Sequence, residues 1–330
     1  MEHSGIELPW VEKYRPQTID EVISNHFIIK SLKMFMAQNT LPHMLFFGPS
    51  GSGKTSTIKC CARQIYGKHL PFMTLELNAS NDRGIDVVRT PINNFIISGS
   101  HCFLPLDARN KFKLIILDEF DSMTIEAQGM LRRIIEKNSG TTRFCLICND
   151  IDKVSSAIQS RCCSYRFIPL APKDMEEKLS FIADNEEINS DEETIKAIVE
   201  ISKGDMRNAI NILQHASLVT NGSKIGRERI YRLSGVITPS TAVKIFKMLM
   251  RLHEGKIGLS DCVRSVQKVI DDNNITIPNL LDTVCRSVVR SGLKRKLSVV
   301  SSLSLLELDD AKAVDSFIVV MNLCSLFVSD

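Results

Sequence analysis

The chain has 330 residues, 44% of them hydrophobic and 24% charged, which supports a folded core and excludes wholesale disorder. Its formal net charge is only +3, so any nucleic-acid binding must come from a local basic surface, and one Trp with 6% aromatics disfavours base-stacking platforms. Ten cysteines, with Cys60-Cys61 and Cys162-Cys163 adjacent, do not form a disulfide framework; with no charged n-region and apolar h-region at the start and no run of about 18 apolar residues, a reducing intracellular compartment and no membrane helix are expected.

Residues 1–16 are polar and close on Arg15-Pro16. An amphipathic stretch over 20–39 follows, then the apolar run 44–47, which predicts a buried strand. A glycine-rich turn separates that run from a helical pattern over 54–66. The turn reads Gly48-Pro49-Ser50-Gly51-Ser52-Gly53-Lys54-Thr55, the full G-x-x-x-x-G-K-[ST] phosphate-loop pattern, in the strand-then-helix context it requires. Glycines let main-chain N–H groups turn inward to phosphate oxygens, and the helix N-terminus adds partial positive charge. Lys54 is expected to reach the β- and γ-phosphates and the Thr55 hydroxyl to bind Mg²⁺, with Ser56 counted among the nucleotide-binding residues.

Further strands are predicted at 74–77, 113–117, 144–148 and 165–168; short apolar runs between helical patterns indicate parallel βα units. The run 113–117 leads directly into Asp118-Glu119, and ligands bind at that C-terminal edge of a parallel sheet. Asp118 is expected to hold Mg²⁺ through water, and Glu119 to orient and polarise an attacking water. Asn149 ends the next strand; it can bond a γ-phosphate or that water, though alone it reads as an ordinary turn residue. Cys145 and Cys148 have the spacing of a metal or redox pair, but strand alternation puts them on opposite faces, so they read as core cysteines. After Pro169 the pattern is helical almost throughout. Pro169 and Pro172, then Ser234-Gly235 and Thr238-Pro239, mark two boundaries. The expected organisation is an α/β domain over 1–168, a small helical domain over 169–235 and an all-α domain over 236–330.

Other motifs accompany the phosphate loop in a fixed order. They are Trp10-Val11-Glu12-Lys13-Tyr14-Arg15-Pro16, Leu77-Asn78-Ala79-Ser80-Asn81-Asp82-Arg83-Gly84, Asp118-Glu119-Phe120-Asp121, Ser160-Arg161-Cys162 and Gly204-Asp205-Met206-Arg207. The set resembles the small subunits of eukaryotic replication factor C over about residues 8–235; the remainder matches only in helical character. The resemblance implies a P-loop AAA+ parallel-sheet domain, a helical lid and an all-α collar, using ATP and Mg²⁺. It implies that Tyr14 and Arg15 border the adenine pocket, that Asn149 is a first sensor and that Arg207 is a lid sensor reading the γ-phosphate. Arg161 becomes an arginine finger donated to ATP on a neighbouring subunit, joining Lys54 and Glu119 in the catalytic set. Arg83, Gly84, Ile85, Arg89 and Lys153 are placed along the backbone of primer-template DNA, contacts that position without reading sequence. The implied partners are the other subunits of a hetero-pentamer and the sliding clamp PCNA, in the nucleus, with no membrane. The implied activity is ATP-driven opening and loading of that clamp for replication and repair. The alternative is a nucleotide-holding scaffold that lends Arg161 but hydrolyses little.

Three features depart from the family's pattern. Phe120 stands where Ala is usual, beside Glu119. Ser50 and Ser52 replace the commoner Pro and Thr. The segment 96–111 is longer than its counterpart, which faces the clamp in relatives; Ile96, Ile97 and Phe103 are candidate apolar contacts, with core packing an equal account.

Overall fold

A computed structural model describes residues 8–23, 25–80, 85–98, 112–220, 224–273, 275–291, 296–310 and 316–328. Arg83, Gly84 and Phe103, singled out above, lie outside the described residues, as does 99–111.

Five strands form one wholly parallel sheet: β1 (Met44–Phe47), β2 (Thr74–Asn78), β3 (Lys113–Asp118), β4 (Thr142–Cys148) and β5 (Cys163–Arg166), in the order β2-β3-β4-β1-β5. The period-2 alternation of a strand sorts its side chains onto two cores. Met44, Phe46, Leu114, Ile116, Cys145 and Ile147 enter one cluster, beside helices α1 (His26–Ala37) and α2 (Lys54–Tyr66). Leu45, Ile115, Leu117, Phe144, Leu146 and Cys148 enter the other, with Ile92 of α3 (Ile85–Ile97) and Leu131 and Ile135 of α4 (Ile125–Asn138). Cys145 and Cys148 therefore lie on opposite faces, as alternation requires. Burial holds the Cys145 thiol well above its ordinary pKa and pushes Cys148 up to about 12, so both are protonated core groups. All nine described cysteines are free.

The helical pattern over 54–66 coincides with α2. The amphipathic stretch 20–39 yields a helix only over His26–Ala37, preceded by a 3₁₀ turn at Ile19–Glu21. The last strand begins at Cys163 rather than 165, because main-chain pairing with β1 (Met44 opposite Cys163) sets its register. Apolarity could not mark that start: Cys163, Ser164 and Arg166 are exposed on an edge strand.

The chain divides into two compact units, Met1–Ile182 with Ser202–Asn211, and Ala183–Ile201 with Ile212–Asp330. Helix α5 (Pro172–Asn185) begins in the first, and α7 (Met206–Thr220) starts there. Local contacts explain why 202–211 joins the sheet-bearing unit. The Leu170 N–H donates to the Gly204 carbonyl at 3.2 Å, and Ser50 Oγ donates to Asp205 Oδ2 at 2.7 Å. In the second unit, α6 (Glu192–Ser202) and α8 (Arg227–Leu233) are joined by Tyr231 donating to Glu200 at 2.8 Å. There follow α9 (Pro239–His253), α10 (Leu259–Asn273), α11 (Ile277–Arg290), α12 (Lys296–Asp310) and α13 (Ser316–Ser325). Leu249, Val266, Leu280, Val288, Leu323 and Phe327 centre their shared core. Among the described residues no helix is long and apolar enough to cross a membrane.

Candidate nucleotide-binding site

β1 ends at Phe47 and α2 begins at Lys54, so the phosphate loop bridges a strand end and a helix N-terminus. Gly48 has φ +141° and packs so closely that a Cβ would lie 2.2 Å from the Phe167 carbonyl oxygen; Gly51, at φ +62°, would put one 1.8 Å from Asp205 Oδ1. Neither position admits another residue without displacing its neighbours.

Lys54 is buried, and its ammonium donates to the Gly48 carbonyl (2.7 Å), the Pro49 carbonyl (2.7 Å) and Asn149 Oδ1 (3.0 Å). Burial lowers its pKa, against the raising effect of Asp118. A partly desolvated cation held by neutral carbonyls gains from an anion in their place. Thr55 Oγ1 donates to Asp118 Oδ2 at 2.7 Å. A hydroxyl and a carboxylate oxygen side by side are the hard donors that Mg²⁺ takes, with water and phosphate completing its shell. Glu119 follows in a left-handed backbone conformation (φ +52°), its N–H donating to Asp118 Oδ1 at 2.9 Å. That turn takes Glu119 off the line of β3 and into the cleft wall. Phe120 is fully buried among Leu117, Met123 and Leu131 and does not line the cleft. Asp121 Oδ2 accepts from the N–H groups of Asn149 (3.2 Å) and Asp150 (3.3 Å), fixing the turn that ends β4.

Most of these groups line one open cleft. Its lining includes Ser50, Gly51, Ser52, Gly53, Lys54, Thr55 and Ser56, together with Asp118, Glu119 and Asn149. Tyr14 and Arg15 also line it, as does Arg207, the second residue of α7. Gly48 and Pro49, predicted with them, do not line it; their carbonyls accept from Lys54 instead. Val11, Val22, Ile23, Leu170 and Ile210 add the apolar wall that a flat base needs. Sequence reasoning missed these, since isolated apolar residues carry no signal. It also missed Lys178 of α5, which lines the cleft, and Asp205, whose N-cap bond to the Asn208 N–H (3.0 Å) was legible as Asp before a helix.

Arg161 does not line the cleft; its partners are Glu136, Ala157 and Ser160. Of the positions assigned to DNA, Ile85 begins α3, Arg89 is exposed on it, and Lys153 is exposed in the 3₁₀ turn after β4. Ile97 is largely exposed and Ile96 partly buried against the core.

Residues 44–170 match the family model described as ATPase family associated with various cellular activities (AAA), and residues 2–83 match the Rad17 P-loop domain. The replication factor C small-subunit homologue L499 of Acanthamoeba polyphaga mimivirus is 54% identical over 98% of this chain and 94% of its own. The chain belongs to the replication factor C small-subunit family. Replication factor C subunit 5 of Homo sapiens is 48% identical over 69% of this chain and 65% of its own. Subunit 3 of Schizosaccharomyces pombe is 48% identical over 74% of this chain and 69% of its own. The opening segment 8–16 and the tract 143–149 resemble this subunit, numbered five in animals and three in yeasts. Among solved structures, the Thermotoga maritima RuvB Holliday junction branch migration motor superposes with a TM-score of 0.52 at 18% identity, covering 81% of this chain and 90% of that one. At that identity the likeness speaks to the AAA+ fold alone.

Proposed function

We propose that this chain is an ATP-hydrolysing small subunit of a clamp loader of the replication factor C type. In this reading it works in a hetero-pentamer in the nucleus, opening the sliding clamp PCNA and placing it on primer-template DNA. The observation that carries the reading is the convergence of Lys54, Thr55, Asp118, Glu119, Asn149 and Arg207 on one cleft. Residues 169–235 then serve as the lid and 236–330 as the collar that joins subunits.

The roles follow from the chemistry of each group. Lys54 and the loop amides neutralise and orient the phosphates, while Tyr14, Arg15 and the apolar wall seat the adenine. Thr55 and Asp118 hold Mg²⁺, which when bound offsets phosphate charge. Glu119 orients and polarises water; Asn149, whose Oδ1 accepts from Lys54, offers its amide N–H to a phosphate oxygen. Arg207 reads the γ-phosphate from α7. Catalysis in this account is positioning and charge neutralisation. Arg161 serves the site of an adjoining subunit, making hydrolysis conditional on assembly. Arg89, Lys153 and the Ile85 amide, with Arg83 and Gly84, track the DNA backbone.

The second reading, a scaffold that holds nucleotide without turning it over, draws on Phe120. Its ring lies in the core rather than over Glu119, which favours the hydrolytic reading. Glu119→Gln in this subunit alone, within the reconstituted assembly, separates the two. The hydrolytic reading expects total ATP turnover to fall by this site's share; unchanged turnover would establish the scaffold.

A further inference from the structure

Arg161 lies in the turn after the short helix Ser156–Gln159, and its guanidinium is engaged on its own subunit. Nε donates to Glu136 Oε1 at 2.7 Å, and Nη2 lies 2.6 Å from the same oxygen as an ion pair. Nη1 donates to the Ala157 carbonyl at 2.8 Å and to Ser160 Oγ at 3.2 Å. Glu136 is on α4, and Arg132, one turn earlier on that helix, has its Nε 3.9 Å from the same Oε1. That separation is too long for a hydrogen bond. Arg132 Nε is nonetheless buried and makes no hydrogen bond to any described residue, an orphaned donor of a kind folded proteins rarely keep. Two guanidinium groups thus flank one carboxylate oxygen, and only one of them is bonded to it.

We propose that Glu136 is a positioning residue for Arg161. It holds that guanidinium on its own subunit, and hands its hydrogen-bonding oxygen to Arg132 when Arg161 moves to a triphosphate bound by an adjoining subunit. The proposal rests on the reading of Arg161 as a residue donated in trans. A partly exposed ion pair is a weak tether, so it can be broken without stalling the enzyme. Arg132 is four residues before Glu136, a spacing at which side chains meet on a helix face, so Glu136 is not left bare. A phosphate chain presents more charge and more acceptor oxygens than one carboxylate, so it wins the guanidinium once offered. Without a loaded neighbour, the carboxylate keeps it.

The test uses the assembled complex and compares Arg161→Ala, Glu136→Gln, Arg132→Met and the pair Glu136→Gln/Arg132→Met. Turnover above the Arg161→Ala baseline reports the site that Arg161 serves. Glu136→Gln frees the guanidinium and should lower the ATP concentration at half-maximal Arg161-dependent turnover by roughly two- to fivefold, the range expected for an exposed ion pair. Arg132→Met removes the substitute partner, tightens the tether and should raise that concentration by a similar factor. The pair should behave like Glu136→Gln alone, because the two changes act on one carboxylate. A merely structural contact would move both single variants the same way, together with the melting temperature. Shifts in one direction, or none, with Arg161-dependent turnover intact, overturn the proposal and leave the trans reading standing. Arg161→Ala with undiminished turnover overturns both. Should Arg132→Met fail to assemble, the sign of the Glu136→Gln shift decides alone.

Discussion

His43 illustrates how a single half-buried side chain contributes to the acid sensitivity of the fold. Its Nδ1 accepts from the Phe144 N–H at 3.3 Å, which requires the neutral ring. Burial, and then the nearby Arg143 charge, lower its pKa from 6.5 to about 4. Between those values the unfolded chain binds the proton and the folded one does not, so stability rises with pH across that window and falls as pH drops from 6.5 toward 4. His43→Asn keeps an acceptor but cannot titrate; urea midpoints measured across that window should show a flatter acid slope, and an unchanged slope would exclude His43 as the cause. The phosphate-loop residues were legible at this scale because main-chain phosphate binding constrains a contiguous run. Arg132 and Glu136 were not, because ordinary helix charges acquire meaning only from the residue that packs against them.

Strands and helices show the same division. β3 was readable as an apolar run ending in Asp118-Glu119, but not the burial of Lys113 at its start. That ammonium donates to the Phe95 (2.6 Å), Ile96 (3.2 Å) and Ser98 (2.7 Å) carbonyls, capping the C-terminal end of α3. A lysine in an apolar strand gives no sign of which helix end it will meet. Phe120 was noticed in the sequence as a neighbour of Glu119; the 3₁₀ turn Phe120–Ser122 turns its ring into the core beside α4. Phe120→Ala should therefore cost about 3–5 kcal/mol of unfolding free energy, as for other fully buried aromatics. Denaturant titration of the purified chain measures it. A loss below about 1 kcal/mol would mean that the ring is not packed as described.

For the whole molecule, the helical C-terminal half was legible in kind but not in detail, since apolar periodicity gives helices without giving their partners. α13 keeps Ile318 and Met321 exposed although its residues are apolar almost all round, the pattern of a helix covered on more than one side. If the collar joins subunits, Ile318→Glu with Met321→Glu should abolish co-purification with partner subunits while ATP affinity of the chain is retained; retained assembly would remove α13 from the interface. For DNA, Arg89→Ala and Lys153→Ala should each weaken binding of the assembly regardless of sequence and reduce the slope of log affinity against log salt by roughly 0.9. A base-specific loss would contradict a backbone role. Both expectations presuppose a triphosphate seated on the loop between β1 and α2. Calorimetric titration of the purified protein with Mg-ATP, wild type against Lys54→Ala, tests that directly. The account predicts saturable binding that weakens by at least about tenfold in the variant, and equal affinity in the two proteins, or no binding to either, would contradict it.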